Sequence, residues 1–216
     1  MGSLARFHLR RIREIFDTPN FFETGTFLGE GVSCAVQVPF DRIISVEIIK
    51  EIADKARLRF EHEEKVEIIH ADSISAMESQ LPLLSGNTVF WLDAHYPGAD
   101  AGIADYENTD NETLRLPLYY ELGLIQKHRT KCQDVLILDD LRIYEDGPFQ
   151  NGPVPPDALP RGRRDSNFIY QTFGDSHYIF KCYLDEGYII LLPKDRYDQK
   201  NLRWTDLLTE SKLPGL

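Results

Sequence analysis

Cysteine is scarce: three residues, Cys34, Cys132 and Cys182, in a chain of 216. An odd number at wide spacing supports neither a disulfide framework nor a cysteine zinc site, and suits a reducing compartment. Long apolar runs are missing too. No stretch approaches the roughly 18 residues of a membrane-spanning helix. The opening residues, Met1 to Arg11, hold no apolar core of secretory type, so the expectation is a soluble cytoplasmic protein. Positive charge is in deficit, with 24 Lys and Arg against 35 Asp and Glu and a net charge of −11. That balance disfavours nonspecific binding to nucleic acid or to anionic membranes, and no nucleic-acid partner is expected. Internal repeats, low-complexity tracts and the G-x-G-x-x-G of dinucleotide-binding enzymes are all absent. What remains is ordinary globular composition, 42% hydrophobic and 27% charged, in a length that suits one domain, 1–216, with one substantial core.

The most informative run present is Phe21-Phe22-Glu23-Thr24-Gly25-Thr26-Phe27-Leu28-Gly29-Glu30-Gly31. An apolar stub ends in an acid, a glycine-rich turn follows, and Val32 to Val38 can be helical. Glycines let the backbone turn sharply and let a ligand approach closely. Gly25, Gly29 and Gly31 give G-x-x-x-G-x-G with Glu23 two residues ahead. A carboxylate there repels a pyrophosphate but attracts the cationic amino group of a methionine moiety. An ordinary strand–helix turn is the plain alternative.

Strand and helix patterns then alternate. Residues 4–16 read as an amphipathic leading helix whose basic face is either solvated or a contact, including a candidate homodimer contact. Arg42 to Glu47 reads as a strand, Ile48 to Phe60 as a helix and Val66 to His70 as a strand. A helical stretch runs from Ala71-Asp72-Ser73 to Leu84. Thr88 to Leu92 is a strand ending at Asp93, Leu116 to Lys127 is helical, and Val135 to Leu138 is a strand ending at Asp139-Asp140. The alternation predicts an α/β fold with a parallel sheet covered by helices on both faces. His177 to Leu184 and Tyr188 to Leu192, joined by Asp185-Glu186-Gly187, read as a terminal hairpin that adds an antiparallel strand. Residues 96–114 and 141–166 have no regular pattern, and loops of that length point to active-site lids or disorder.

Ligands of open α/β sheets bind beyond the carboxyl ends of the strands, and acids follow five successive strands here. Glu47 is placed to accept hydrogen bonds from ribose hydroxyls, or to charge the first turn of the next helix. Asp72 with Ser73 borders a base, or caps a helix. Asp93, Asp139 and Asp140 form an all-oxygen set suited to a hard cation such as Mg²⁺. The alternative is that these acids cap helices or pair with Arg142, Arg161 or Arg164. His95, two residues past Asp93, has the proton affinity of a general base. Phe27, Trp91, Tyr96 and Tyr106 are candidates for stacking on adenine or a sugar, or plain packing residues. Arg161, Arg163 and Arg164 favour an anionic acceptor, and the acidic loop 96–114 disfavours one.

Residues 20–145 resemble the Rossmann-like S-adenosylmethionine-dependent methyltransferases, in particular the divalent-metal-dependent sugar O-methyltransferases of the macrocin and novobiocin tailoring type. The resemblance rests on Glu23 to Gly29, Val46-Glu47, Ala71-Asp72-Ser73, Leu92-Asp93-Ala94-His95 and Leu138-Asp139-Asp140. It implies a mostly parallel seven-stranded sheet with an antiparallel terminal strand. It also implies cofactor contacts from Glu23 and Gly25 to the methionine part, from Glu47 to the ribose and from Asp72 and Ser73 to the adenine, with Thr24, Thr26 and Gly29 as further cofactor-binding residues. Asp93 would serve cofactor, chemistry and metal together, with Asp139 and Asp140 completing a Mg²⁺ site. Relatives carry an acid two residues after the first metal ligand, where this chain has His95. A sugar or polysaccharide hydroxyl is the implied acceptor. A catechol or small phenol, a non-catalytic binding role on the same scaffold, and a nicotinamide-dependent oxidoreductase are the alternatives. The missing dinucleotide motif and the hairpin count against the last.

Overall fold

Five apolar segments form parallel strands: β1 Asn20–Thr24, β2 Arg42–Glu47, β3 Val66–His70, β4 Thr88–Leu92 and β5 Val135–Leu138. The terminal hairpin supplies β6 His177–Cys182 and β7 Tyr188–Pro193, with β7 antiparallel to β5. The sheet runs β3-β2-β1-β4-β5-β7-β6. The computed structural model describes residues 2–99, 102–106, 110–162 and 164–209. Arg163 and parts of the 96–114 loop therefore lie outside the described residues.

The inner strands β1, β2, β4, β5 and β7 are buried on both faces, as strands between helices must be, while the edge strands β3 and β6 are partly exposed. Side chains alternate: Phe21, Ile43, Val89, Trp91, Val135 and Ile137 enter one core, and Phe22, Ile44, Phe90, Leu92, Leu136 and Leu138 the other. Helices α1 Leu9–Phe16, α2 Glu30–Val36 and α3 Lys50–Arg59 cover the first face. Helices α4 Ser73–Gln80, α6 Leu118–His128 and α7 Asn167–Phe173 cover the second.

Register sets up the functional edge. Thr24 lies opposite Val46 and Leu92, and Leu92 opposite Leu138. The next residues, Gly25, Glu47, Asp93 and Asp139, therefore emerge in one row. The chain crosses from β3 on one side of β1 to β4 on the other, which opens a crevice between β1 and β4.

Three local features depart from the sequence pattern. The leading helix is broken: a 3-10 turn at Leu4–Arg6 precedes α1, and between them Phe7 bridges Leu208 while its ring packs edge-on to Trp91 and Tyr188. The segment 96–114 runs into a short helix, α5 Glu112–Arg115. Helix α7 follows the second long loop, in a run rich in aromatic and β-branched residues that favours helix weakly. It is fixed by Ile169 and Phe173 in the core, four residues apart on one face.

The two long loops form one wall. Arg115 is 1% exposed. Its Nε donates to the Tyr106 carbonyl at 2.9 Å, and Nη2 donates to the Asp157 and Leu159 carbonyls at 2.8 and 2.9 Å. Its guanidinium also lies 5.1 Å from the Tyr96 ring centroid, and the Tyr96 hydroxyl donates to the Ala158 carbonyl.

Candidate active site

The glycine turn is built by close approach. Gly25 has φ +85°, and a Cβ there would stand 2.6 Å from the Asp93 carbonyl oxygen. Gly29, at φ +79°, starts α2 and accepts the Ser33 amide. Glu23 faces the α2 side, not the strand end, with Oε1 against Gly31, where a Cβ would be 1.8 Å away. Ser45 Oγ donates to Glu23 Oε2 at 2.5 Å, so the Thr26 hydroxyl, 2.6 Å from Ser45 Oγ, donates in turn to Ser45. Burial pushes the Glu23 carboxyl up to about 8, with the charge of Glu47 adding to the rise. Burial thus biases this carboxyl toward its neutral form.

Thr24 faces the opposite core, fully buried, with its hydroxyl lacking a hydrogen-bond partner. Nearby on α6 is Glu121, a residue that motif reading passed over. It is 1% exposed and its Oε1 also has no partner. Burial pushes its carboxyl up to about 7, against the lowering influence of the Ser73 and Thr24 hydroxyls. Its only sequence signal is an acid on the buried face of an otherwise apolar helix.

A cleft opens at the crevice. Glu47, Asp72 and Ser73 line one side, and Asp93, His95 and Tyr96 the other. A second cavity, of about 360 Å³, lies over the glycine turn, lined by residues 2–5 and bordered by Glu23, Thr26 and Gly31. The two share Gly25, Phe27 and Asp93. Glu47 accepts the Phe27 amide on Oε2 at 2.9 Å and the Ile49 amide on Oε1 at 2.8 Å. Asp72 caps α4 by accepting the Ser75 amide at 2.9 Å, so the capping role holds alongside its place on the cleft wall.

Two buried carboxyls, Asp139 and Asp140, crowd the half-buried Asp93 on the cleft wall. Asp93 is pushed well above the usual carboxylate range by burial and by the charges of Asp139 and Asp140. Asp139 is raised to about 8 by burial and by Asp140. Asp140 is opposed by burial, yet His95 and Arg142 hold it below its ordinary value. His95 Nε2 stands 2.9 Å from Asp140 Oδ2, and Nδ1 stands 3.5 Å from Asp93 Oδ1. Arg142 Nε donates to Asp140 Oδ1 at 3.1 Å. Arg164 turns to Asp146 and Arg161 to Glu112, so of these three arginines Arg142 alone reaches the cluster.

The donor atoms that gather are those of Asp93, His95 and Asp140, all within 4.8 Å of one another. Asp139 sits beside them, not among them. Its Oδ1 accepts the Asp140 amide at 2.8 Å, its Oδ2 is buried without a partner, and Gly2 packs against the carboxyl. Of the aromatic candidates, Trp91 is core, packed on Phe7 and Tyr188. Phe27 and Tyr96 line the cleft, and Tyr106 packs edge-on to Tyr96.

No protein-family model matches the sequence, and no curated protein does at the level of sequence. The fold does have solved counterparts. An S-adenosylhomocysteine-bound methyltransferase from Podospora anserina, PaMTH1, is similar at TM-score 0.58 and 12% identity, over 87% of this chain and 76% of that one. A putative caffeoyl-CoA O-methyltransferase from Staphylococcus aureus aligns at TM-score 0.55 and 11% identity, over 89% and 84%. A putative O-methyltransferase from Klebsiella pneumoniae aligns at TM-score 0.53 and 12% identity, over 89% and 81%. The chain has the methyltransferase fold.

Proposed function

We propose that this protein is an S-adenosylmethionine-dependent O-methyltransferase acting on a hydroxyl of a sugar or polysaccharide. The observation that carries the reading is the pair of cavities meeting at Gly25, Phe27 and Asp93, with Glu47, Asp72 and Ser73 along one wall. The fold shared with methyltransferases supports it.

Each residue has work that suits this ligand. Glu47 keeps lone pairs for ribose hydroxyls after accepting two amides. Ser73 borders the adenine, against the apolar Ile48, Ile52 and Ile74. The second cavity takes the methionine part, whose ammonium returns Glu23 to its charged form. Asp93, common to both cavities, borders the transferring methyl group. S-adenosylmethionine supplies that methyl on a sulfonium. The S–CH₃ bond breaks as the O–CH₃ bond forms, and the hydroxyl proton leaves to the acid–imidazole cluster. The wall stapled by Arg115 holds the acceptor in line and excludes water.

A divalent cation, Mg²⁺ or another, belongs to the same proposal. The crowding of Asp93, Asp139 and Asp140, with one buried oxygen lacking a partner, fits a missing positive charge. Asp93 and Asp140 would hold it, and it would relieve their repulsion and lower the pKa of a nearby hydroxyl. Convergence of Asp93, His95 and Asp140 counts against a non-catalytic scaffold.

Calorimetric titration with S-adenosylhomocysteine and with NAD tests the cofactor. Transfer of labelled methyl from S-adenosylmethionine to a panel of sugars, catechols and phenols tests the acceptor. Saturable binding of NAD, without S-adenosylhomocysteine binding, overturns the reading. Methylation confined to the aromatic acceptors overturns the sugar assignment.

A further inference from the structure

The residue after Ala94 was expected to work as a base beside an all-carboxylate metal site. Its position argues for a different role. Both ring nitrogens of His95 already face carboxylates, Nε2 at 2.9 Å from Asp140 and Nδ1 at 3.5 Å from Asp93. An imidazole held this way stands beside both acids, as one more donor at the same point. Neighbouring ligands of a six-coordinate ion stand ~3 Å apart at metal–oxygen distances near 2.1 Å. The Nε2–Oδ2 separation already matches such an edge. The third donor, on Asp93, closes the set, in which all atoms lie within 4.8 Å of one another.

Asp139 supplies an independent sign of a missing cation. Asp139 is 5% exposed, and its Oδ2 finds no hydrogen bond of normal geometry although the Asp93 carboxyl adjoins it. Its Oδ1 is committed to the Asp140 amide, and Gly2 packs against the group. Asp139 thus backs the site from behind while His95 faces it.

We propose that His95 is a metal ligand, and that Asp93, His95 and Asp140 form a mixed nitrogen–oxygen site selecting a first-row transition dication over Mg²⁺. The chemistry follows from donor type. Mg²⁺ favours an all-oxygen shell and retains its waters, whereas an imidazole nitrogen favours ions further along the first-row series. The assignment rests on the methyl-transfer reading for what the ion would serve, but not for where the ion binds.

The test is metal binding to the full-length protein, freed of metal by chelation and titrated calorimetrically with Mg²⁺, Mn²⁺ and Co²⁺. The expected order of affinity is Co²⁺ above Mn²⁺ above Mg²⁺. Pulsed electron paramagnetic resonance of the Mn²⁺ form should show hyperfine coupling to one directly bound imidazole nitrogen. In His95→Asp, with three carboxylates, that coupling should vanish and the preference for Co²⁺ over Mg²⁺ should shrink by at least about tenfold. His95→Gln, checked by thermal melting, guards against a folding defect in the first variant. A Mn²⁺ spectrum without nitrogen coupling, or unchanged Co²⁺ affinity in both folded variants, overturns the proposal. S-adenosylhomocysteine titration of the metal-free protein is read separately. Its failure would remove the methyl-transfer reading and leave the metal result standing.

Discussion

Glu23 and Gly31 are in direct contact across the β1–α2 unit: Glu23 Oε1 occupies the space where a Cβ on residue 31 would stand, 1.8 Å away. The acid and the last glycine of the turn are therefore one device, because the helix can sit over the carboxyl only where it has no side chain. Gly31→Ala should cost about 1–3 kcal/mol of stability, the usual price of overpacking, and weaken S-adenosylhomocysteine binding. Glu23→Ala combined with Gly31→Ala should recover stability but not binding. A double-mutant cycle by urea denaturation and calorimetry checks both, and additive losses would show that the contact is not what constrains residue 31.

Glu121 should make stability fall as pH rises. Its carboxyl is raised from 4.5 to about 7 in the folded protein, so between those values the native state binds more protons than the unfolded chain. Linkage then lowers stability progressively from pH 4.5 to 7 and levels off above. The shift corresponds to roughly 3 kcal/mol. Glu121→Gln should flatten that part of the profile in denaturant titrations at several pH values. An unaltered profile would assign the slope to other groups.

Arg115 should hold the two long loops together. Removing its guanidinium takes away the donor that the carbonyls of Tyr106, Asp157 and Leu159 share. Arg115→Ala should expose 96–114 and 141–166 to limited proteolysis and lower methyl transfer, while S-adenosylhomocysteine affinity stays within about tenfold. Proteolysis at wild-type rates would refute the stapled wall.

Glu47 and Asp72 should separate on substitution. Glu47→Ala removes the acceptor for two amides and the proposed ribose contact, so S-adenosylhomocysteine affinity should drop more than about tenfold. Asp72→Asn keeps the cap on α4, since Asn caps as well as Asp, and should melt like wild type. Asp72→Ala should lose about 1 kcal/mol. Thermal melts and calorimetry distinguish the cases.

Chelation addresses the ion. Excess EDTA should abolish turnover while leaving S-adenosylhomocysteine binding within about tenfold. Full activity with no metal recovered would sink the cation.

Much of this was legible along the chain. Apolar runs alternating with helical stretches give the parallel sheet, and the acid after each run marks the carboxyl edge, because parallel strands all end on the same side of the sheet. The glycine spacing around Glu23 marks the first turn. Helix α7 was not legible, since its residues favour helix weakly and only packing of Ile169 and Phe173 fixes it. The opposite directions of Glu23 and Thr24 follow from the strand period, but that one meets Gly31 on α2 and the other Glu121 on α6 was not legible.

The sequence by itself determined which residues arrive at the edge, since register follows from local pattern and burial of the strands. Only the tertiary structure decided which of them meet. Asp139 and Asp140 are adjacent and chemically alike, but Asp140 adopts φ +55° and reaches His95 and Arg142, whereas Asp139 turns back onto its neighbour's amide under Gly2. Local contacts to Arg142 and to the Asp140 amide take part, but the choice also depends on His95, 45 positions from Asp140, and on Gly2, 137 positions from Asp139, both brought within a few ångströms by the packing of the chain.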